Sequence, residues 1–117
     1  MGISIVRWFK SVGYAWKGFK RVVFEEQNMR IHVLAAIGVV ILGVIREISV
    51  MSWVALSIVI GFVFVLEIMN TAVERLVDMQ KPTIHRYASA IKDMMAAAVL
   101  VGAVTAVVVG SFIFLIP

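Results

Sequence analysis

Three long uncharged runs decide what this chain can fold into. Residues 31–45 carry His32 as their one polar side chain, residues 48–66 contain no charge over nineteen positions, and residues 94–117 contain none over 24. In hydrocarbon every backbone N–H and C=O must be satisfied within the segment, so a run of about 20 apolar residues is read as a helix that crosses the bilayer. The first run is short for that purpose. It reaches the required length by borrowing Met29 and a snorkelling Arg30 at one end and Arg46 at the other. Gln80-Lys81-Pro82-Thr83 stops the second helix, because proline cannot continue a helix and disfavours one in the residue before it. Ala96-Ala97-Ala98, Gly102, Ala103, Ala106 and Gly110 make the third run smooth enough for close helix approach.

Composition points the same way. The 117 residues are 62% hydrophobic and 15% charged, with a mean hydropathy of +1.04, whereas soluble domains are about half apolar. A chain of this length forms a single domain. Cysteine is absent, which excludes disulfides, thiolate metal sites and thiol nucleophiles. The net charge of +4 flanks the apolar runs and is read as topology and lipid contact, with no nucleic-acid partner. No cleavable signal is apparent, because the N-terminus mixes Arg7, Lys10 and Lys17 with aromatic residues.

Residues 3–24 place Ile5, Trp8, Phe9, Val12, Trp16, Phe19 and Val23 at helical spacing against a basic stripe of Arg7, Lys10, Lys17 and Arg21. Such a helix lies in the membrane interface; the alternative is a soluble amphipathic helix packed on a partner. A polar hinge follows at Glu25-Glu26-Gln27-Asn28-Met29-Arg30. Its carboxylates either favour the positive end of the next helix or join a carboxylate site, and the sequence leaves both open. Of the eleven Lys and Arg residues, Arg46 is the one in the first loop between spans. The positive-inside rule then puts the N-terminus and the second loop in the cytoplasm.

At 100° per residue Glu67, Asn70, Glu74 and Asp78 fall on one narrow helix face, while Ile68, Met69, Ala72, Val73, Leu76 and Val77 cover the rest. Ionisable groups in a membrane helix cost about 2.5–3.5 kcal/mol each at its centre and normally mark a site. Carboxylates with one amide, facing the cytoplasm, suit a hard divalent cation such as magnesium, which prefers oxygen ligands and accompanies phosphate. Lys92 beside Asp93 adds a point charge suited to phosphate. Glu67, deepest of the set and flanked by like charges, is the candidate proton acceptor. These features point to phosphoryl chemistry on a lipid hydroxyl. The same cluster could also serve a small cation or proton carrier subunit, or join subunits. A carrier would place its charges nearer the midplane in repeated segments, and no repeat is visible here. No G-x-x-x-x-G-K-[ST], G-x-G-x-x-G or H-R-D motif is present. His32 and His85 are too sparse for a metal site and read as packed or solvated.

The segment Glu67-Ile-Met-Asn70-Thr-Ala-Val-Glu74-Arg-Leu-Val-Asp78, followed by Lys92-Asp93-Met94, resembles the small bacterial integral-membrane lipid kinases of the diacylglycerol kinase and undecaprenol kinase family. Gly13-Tyr14-Ala15-Trp16-Lys17-Gly18 and Glu25-Glu26-Gln27-Asn28 fit it too, in order and over nearly the whole chain. The resemblance implies an all-α membrane protein, with an N-terminal amphipathic surface helix and three transmembrane helices assembled as a homotrimer. It implies active sites between neighbouring subunits on the cytoplasmic face of the bacterial inner membrane. The expected divisions are 3–28 for the surface helix and hinge, and 29–47, 49–79 and 86–116 for the spans.

By the same resemblance, Glu67 matches the general base that takes the proton from a lipid alcohol as it attacks the γ-phosphate of ATP, and Asn70 supports the catalytic centre. Glu26 and Glu74 match ligands of the magnesium that accompanies the nucleotide. Arg7, Tyr14, Asp78, His85, Lys92 and Asp93 match residues around the nucleotide, with Lys92 on phosphate. Met95-Ala96 stands where the Gram-negative diacylglycerol kinases have Gly-Ser, and Ala15 replaces a serine. Residues 26–32 look more like the Glu-x-Asn-x-x-x-His pattern of the undecaprenol kinase branch. The expected reaction is therefore undecaprenol to undecaprenyl phosphate, with diacylglycerol to phosphatidate as the alternative.

Overall fold

The computed structural model describes residues 2–80 and 85–117, with the side chain of His85 outside the description. The expected stop at Lys81-Pro82-Thr83 lies outside the described residues. Four helices follow in order: α1 (Ile5–Glu25), α2 (Gln27–Ile45), α3 (Val50–Asp78) and α4 (His85–Phe114). The last three are long and apolar enough to cross a membrane. The protein is an all-helical membrane protein of three spans preceded by an amphipathic helix.

Ser4 caps α1, its hydroxyl accepting a hydrogen bond from the Arg7 N–H. The expected polar hinge over residues 25–30 is narrower in the structure. Glu26 alone leaves the helical region, at φ −116° and ψ 120°. Asn28, Met29 and Arg30 are helical, and two of them have a use there. Met29 is fully buried, and the Arg30 guanidinium reaches back to accept no proton but donate two, to the carbonyls of Val23 (3.2 Å) and Phe24 (2.7 Å). These carbonyls belong to the last turn of α1, whose C=O groups have no partner within the helix.

The α2–α3 connection is a Schellman turn. Ile48 N–H bonds to Gly43 C=O and Glu47 N–H to Val44 C=O, with Glu47 in the left-handed region at φ 51°. Gly43 is required at this corner: a Cβ there would lie 2.7 Å from the Trp53 ring. Arg46 donates to the Phe114 carbonyl at 3.1 Å, tying the corner to the far end of α4. Ser49 then caps α3 through the Ser52 N–H.

The most extensive packing is between α3 and α4. Gly102 meets Leu66 so closely that a Cβ would stand 2.6 Å from Leu66 Cδ1, whereas nothing lies within 4 Å of a Cβ at Gly110. Of the small residues expected to allow close approach, Gly102 does so within the chain and Gly110 does not. α1 rests on α3 through Phe19 and Phe64, ring centroids 6.0 Å apart, with Val22 buried near the hinge. Among the described residues the buried apolar set is small: Val22, Met29, Leu56, Val63 and Val77. Lipid tails are as apolar as leucine, so a membrane helix gains little by hiding such side chains from them. Burial is instead concentrated around three polar residues of α3: Glu67, Asn70 and Thr71.

Candidate functional site

The polar face of α3 is graded. Glu67 is 1% exposed and Asn70 8%, Glu74 is half-buried, and Asp78 is exposed at the helix end. His32 of α2 stands beside Glu67, the hinge acids beside Arg75, and Asp78 at the helix end faces Lys92 of α4. Thr71 bonds its hydroxyl to the Glu67 carbonyl at 3.0 Å and so satisfies itself locally. Glu67 Oε2 and Asn70 Oδ1, by contrast, are buried with no hydrogen-bond partner among the described residues. Buried polar atoms are nearly always partnered, and an exception calls for a cause. Two unsatisfied acceptors one turn apart on one face are suited to a ligand that brings its own donors.

Around Glu67 stand groups from three places in the chain. His32 of α2 places Nε2 at 3.6 Å from Glu67 Oε2, beyond hydrogen-bond reach but within ion-pair range. Glu26 of the hinge, Asn28 at the start of α2 and Glu74 of α3 are its other polar neighbours. The structure thus brings Glu26, Glu67, Asn70 and Glu74 into one region. Glu26 stands at the N-cap of α2 without a side-chain cap hydrogen bond, and its carboxylate lies near that of Glu67.

Arg75 closes the region on the hinge side. Its Nη2 pairs directly with Glu25 and lies 3.7 Å from Glu26 Oε1. Lys92 of α4 pairs with the Asp78 carboxylate, so that cation is committed to α3 within the chain. Asp93 beside it is exposed. Arg7 and Tyr14 form no ion pair or hydrogen bond between side chains and the α3 face among the described residues. On α1 they lie about 28 Å and 18 Å before the hinge at 1.5 Å per residue. Tyr14 instead has the Lys17 ammonium 5.8 Å from its ring centroid. The side chain of His85 lies outside the described residues.

Two neighbours of this region that sequence reasoning did not place there are Arg75, paired with Glu25, and His32, which it read as packed or solvated. The signal for Arg75 was present: Glu67, Thr71 and Arg75 repeat at intervals of four and form a ridge beside the carboxylate stripe. Nothing local marked its partner, fifty residues away.

A cavity of about 390 Å³ begins at the same place. His32 lines its upper end, and it passes between α2, α3 and α4, by Ala36, Val63 and Ala106, to Phe114 and Leu115. Its other polar side chain, Ser111, already donates to the Val107 carbonyl at 2.8 Å. The lining therefore has almost nothing to offer a polar guest. A hydrocarbon chain suits it, with His32 as the polar residue at one end.

The sequence profile of the prokaryotic diacylglycerol kinase family matches residues 13–114. This chain belongs to that family. Among relatives of the prokaryotic diacylglycerol kinase family, an undecaprenol kinase from Bacillus subtilis (strain 168) is 39% identical over 109 residues, covering 93% of this chain and 89% of the relative. A diacylglycerol kinase from Escherichia coli (strain K12) is 30% identical over 105 residues, covering 90% and 86%. One from Synechocystis is 32% identical over 108 residues, covering 92% of this chain and 62% of its own longer one. As a prokaryotic diacylglycerol kinase family member the protein is a lipid kinase, with ATP as co-substrate and a membrane lipid as acceptor.

Proposed function

We propose that the acceptor is a polyprenol, undecaprenol being converted to undecaprenyl phosphate, and that Glu67 is the general base. The carrying observation is the buried, unpartnered Oε2 of Glu67 beside His32, which lines the end of an apolar cavity. A lipid alcohol with its tail in the cavity brings a hydroxyl to Glu67 Oε2 and supplies the missing donor. Glu67 then accepts the hydroxyl proton while the oxygen bonds to the γ-phosphorus of ATP. The bond from that phosphorus to the β–γ bridging oxygen breaks, and ADP leaves. Asn70, one turn along, holds the reacting groups in place. Phosphoryl transfer asks for little covalent help beyond this positioning and charge neutralisation.

Magnesium fits the donors present. Glu26 and Glu74 offer hard oxygen ligands, and among the described residues no three acidic or histidine side chains gather into a ready cage. A cation that takes one or two carboxylates and fills its remaining positions with phosphate and water needs no such cage. Bound there with the nucleotide, it would neutralise phosphate charge. Asp78, Lys92, Asp93, His85, Arg7 and Tyr14 are proposed to surround the nucleotide. The distance of Arg7 and Tyr14 from the hinge supports a contribution from a neighbouring subunit, and hence a homotrimer. The concentration of Lys and Arg around α1 and the second loop supports a cytoplasmic N-terminus and site in the bacterial inner membrane.

The polyprenol reading rests on residues 26–32 and on the Bacillus subtilis relative, and diacylglycerol is the alternative, carried by the relatives named for it. ATP-dependent phosphorylation by the purified protein in mixed micelles, with undecaprenol and diacylglycerol at equal surface concentration, tests it. Preference for undecaprenol is the expected outcome. Preference for diacylglycerol moves the protein to phospholipid turnover.

A further inference from the structure

The hinge acids face an arginine where a metal ligand is expected. Arg75 directly follows Glu74 on α3, and its Nη2 pairs with Glu25 while standing 3.7 Å from Glu26 Oε1. The two contacts are unequal. The first is a hydrogen-bonded ion pair, whereas 3.7 Å lies outside hydrogen-bond reach and leaves Glu26 attracted without being locked. A guanidinium has five donors and can serve both acids at once. Glu26 is also the one extended residue between two helices, and Arg30 secures the end of α1 independently through Val23 and Phe24. Glu26 can therefore move its carboxylate without undoing either helix end.

We infer that Arg75 is a stand-in cation for the hinge. It neutralises Glu25 and Glu26 together when no divalent cation is bound, releases Glu26 to the cation when one arrives, and keeps the hinge on α3 through Glu25. Arg75 is thus a positioning residue that competes with the metal for one acid and is restrained from doing so by the other. The inference rests on the reading of Glu26 as a metal ligand. Two like-charged carboxylates in sequence beside Glu67 and Glu74 would otherwise repel one another at the point where α1 must meet α3. Once a divalent cation occupies Glu26, that repulsion is relieved by the cation and Glu25 suffices to retain Arg75.

The test is Mn2+ binding to the intact protein in mixed micelles with a non-hydrolysable ATP analogue, read from the paramagnetic resonance of free Mn2+. Exposed ion pairs are weak, so shifts of about two- to fivefold are expected. Arg75→Gln removes the competitor and tightens Mn2+ binding. Glu25→Gln frees Arg75 to hold Glu26 and weakens it. Because Glu25 acts through Arg75, the double variant should match Arg75→Gln alone, while Arg75→Lys keeps the charge and stays near the parent. Additive effects in the double variant would show long-range electrostatics and overturn the inference. Weaker binding in Arg75→Gln would reduce Arg75 to a structural anchor and overturn it as well. Glu26→Gln separates the two levels: unchanged Mn2+ binding there removes Glu26 from the metal site, and the inference falls with that reading. Loss of binding in Glu26→Gln without the opposed shifts at Arg75 and Glu25 refutes the role of Arg75 alone.

Discussion

His32 Nε2 on the first span stands 3.6 Å from Glu67 Oε2 on the second, and the same imidazole lines the mouth of the apolar cavity. One residue therefore links the candidate base to the apolar cavity.

Glu67→Gln keeps the shape of the side chain and removes its capacity to take a proton. Turnover should fall by about 10²–10⁴, the range of general-base catalysis, with the fold and oligomer retained. Initial rates and size-exclusion profiles in detergent measure both; activity within a few fold of the parent rules out Glu67 as the base.

Glu74→Gln acts at the half-buried step of the same face, next to Arg75. The magnesium concentration for half-maximal activity should rise, by more than the lipid KM does. A magnesium titration that superimposes on the parent's removes Glu74 from the metal site.

Filling the cavity separates tail binding from chemistry. Ala106→Phe projects a ring among Ala36, Val63 and Val107, and should raise the KM for undecaprenol while leaving nucleotide binding unchanged. Equal KM values in variant and parent would place the lipid tail elsewhere.

Two glycines provide a packing test. Gly43→Ala drives a methyl against the rigid Trp53 ring, and Gly102→Ala drives one against the mobile end of Leu66. Overpacking costs about 1–3 kcal/mol, so Gly43→Ala should show the larger loss in unfolding by denaturing detergent. Gly102→Ala should be milder, because a leucine methyl can rotate away. A larger loss at Gly102 would contradict the packing of the corner.

Three spans, a surface helix and a carboxylate stripe were legible in the sequence because each is a local property. Charge-free runs mark spans by length, and the intervals between Glu67, Asn70, Glu74 and Asp78 place them on one face of any helix that contains them. The helix ends were less legible. The break shrank from residues 25–30 to Glu26 because Arg30 bonds back to the Val23 and Phe24 carbonyls of α1 and Met29 is buried, and neither partner shows in residue type alone. Pairings across the chain were not legible at all. Glu25 with Arg75 and His32 with Glu67 depend on the angle at which α1 and α2 meet α3, and no residue spacing encodes an angle. The sequence by itself determined what crosses the membrane and which acids share a face. Tertiary structure decided which acid is buried without a partner, which cation faces the hinge, and where a hydrocarbon cavity opens beside them, because burial and ion pairing arise only between helices that have already packed.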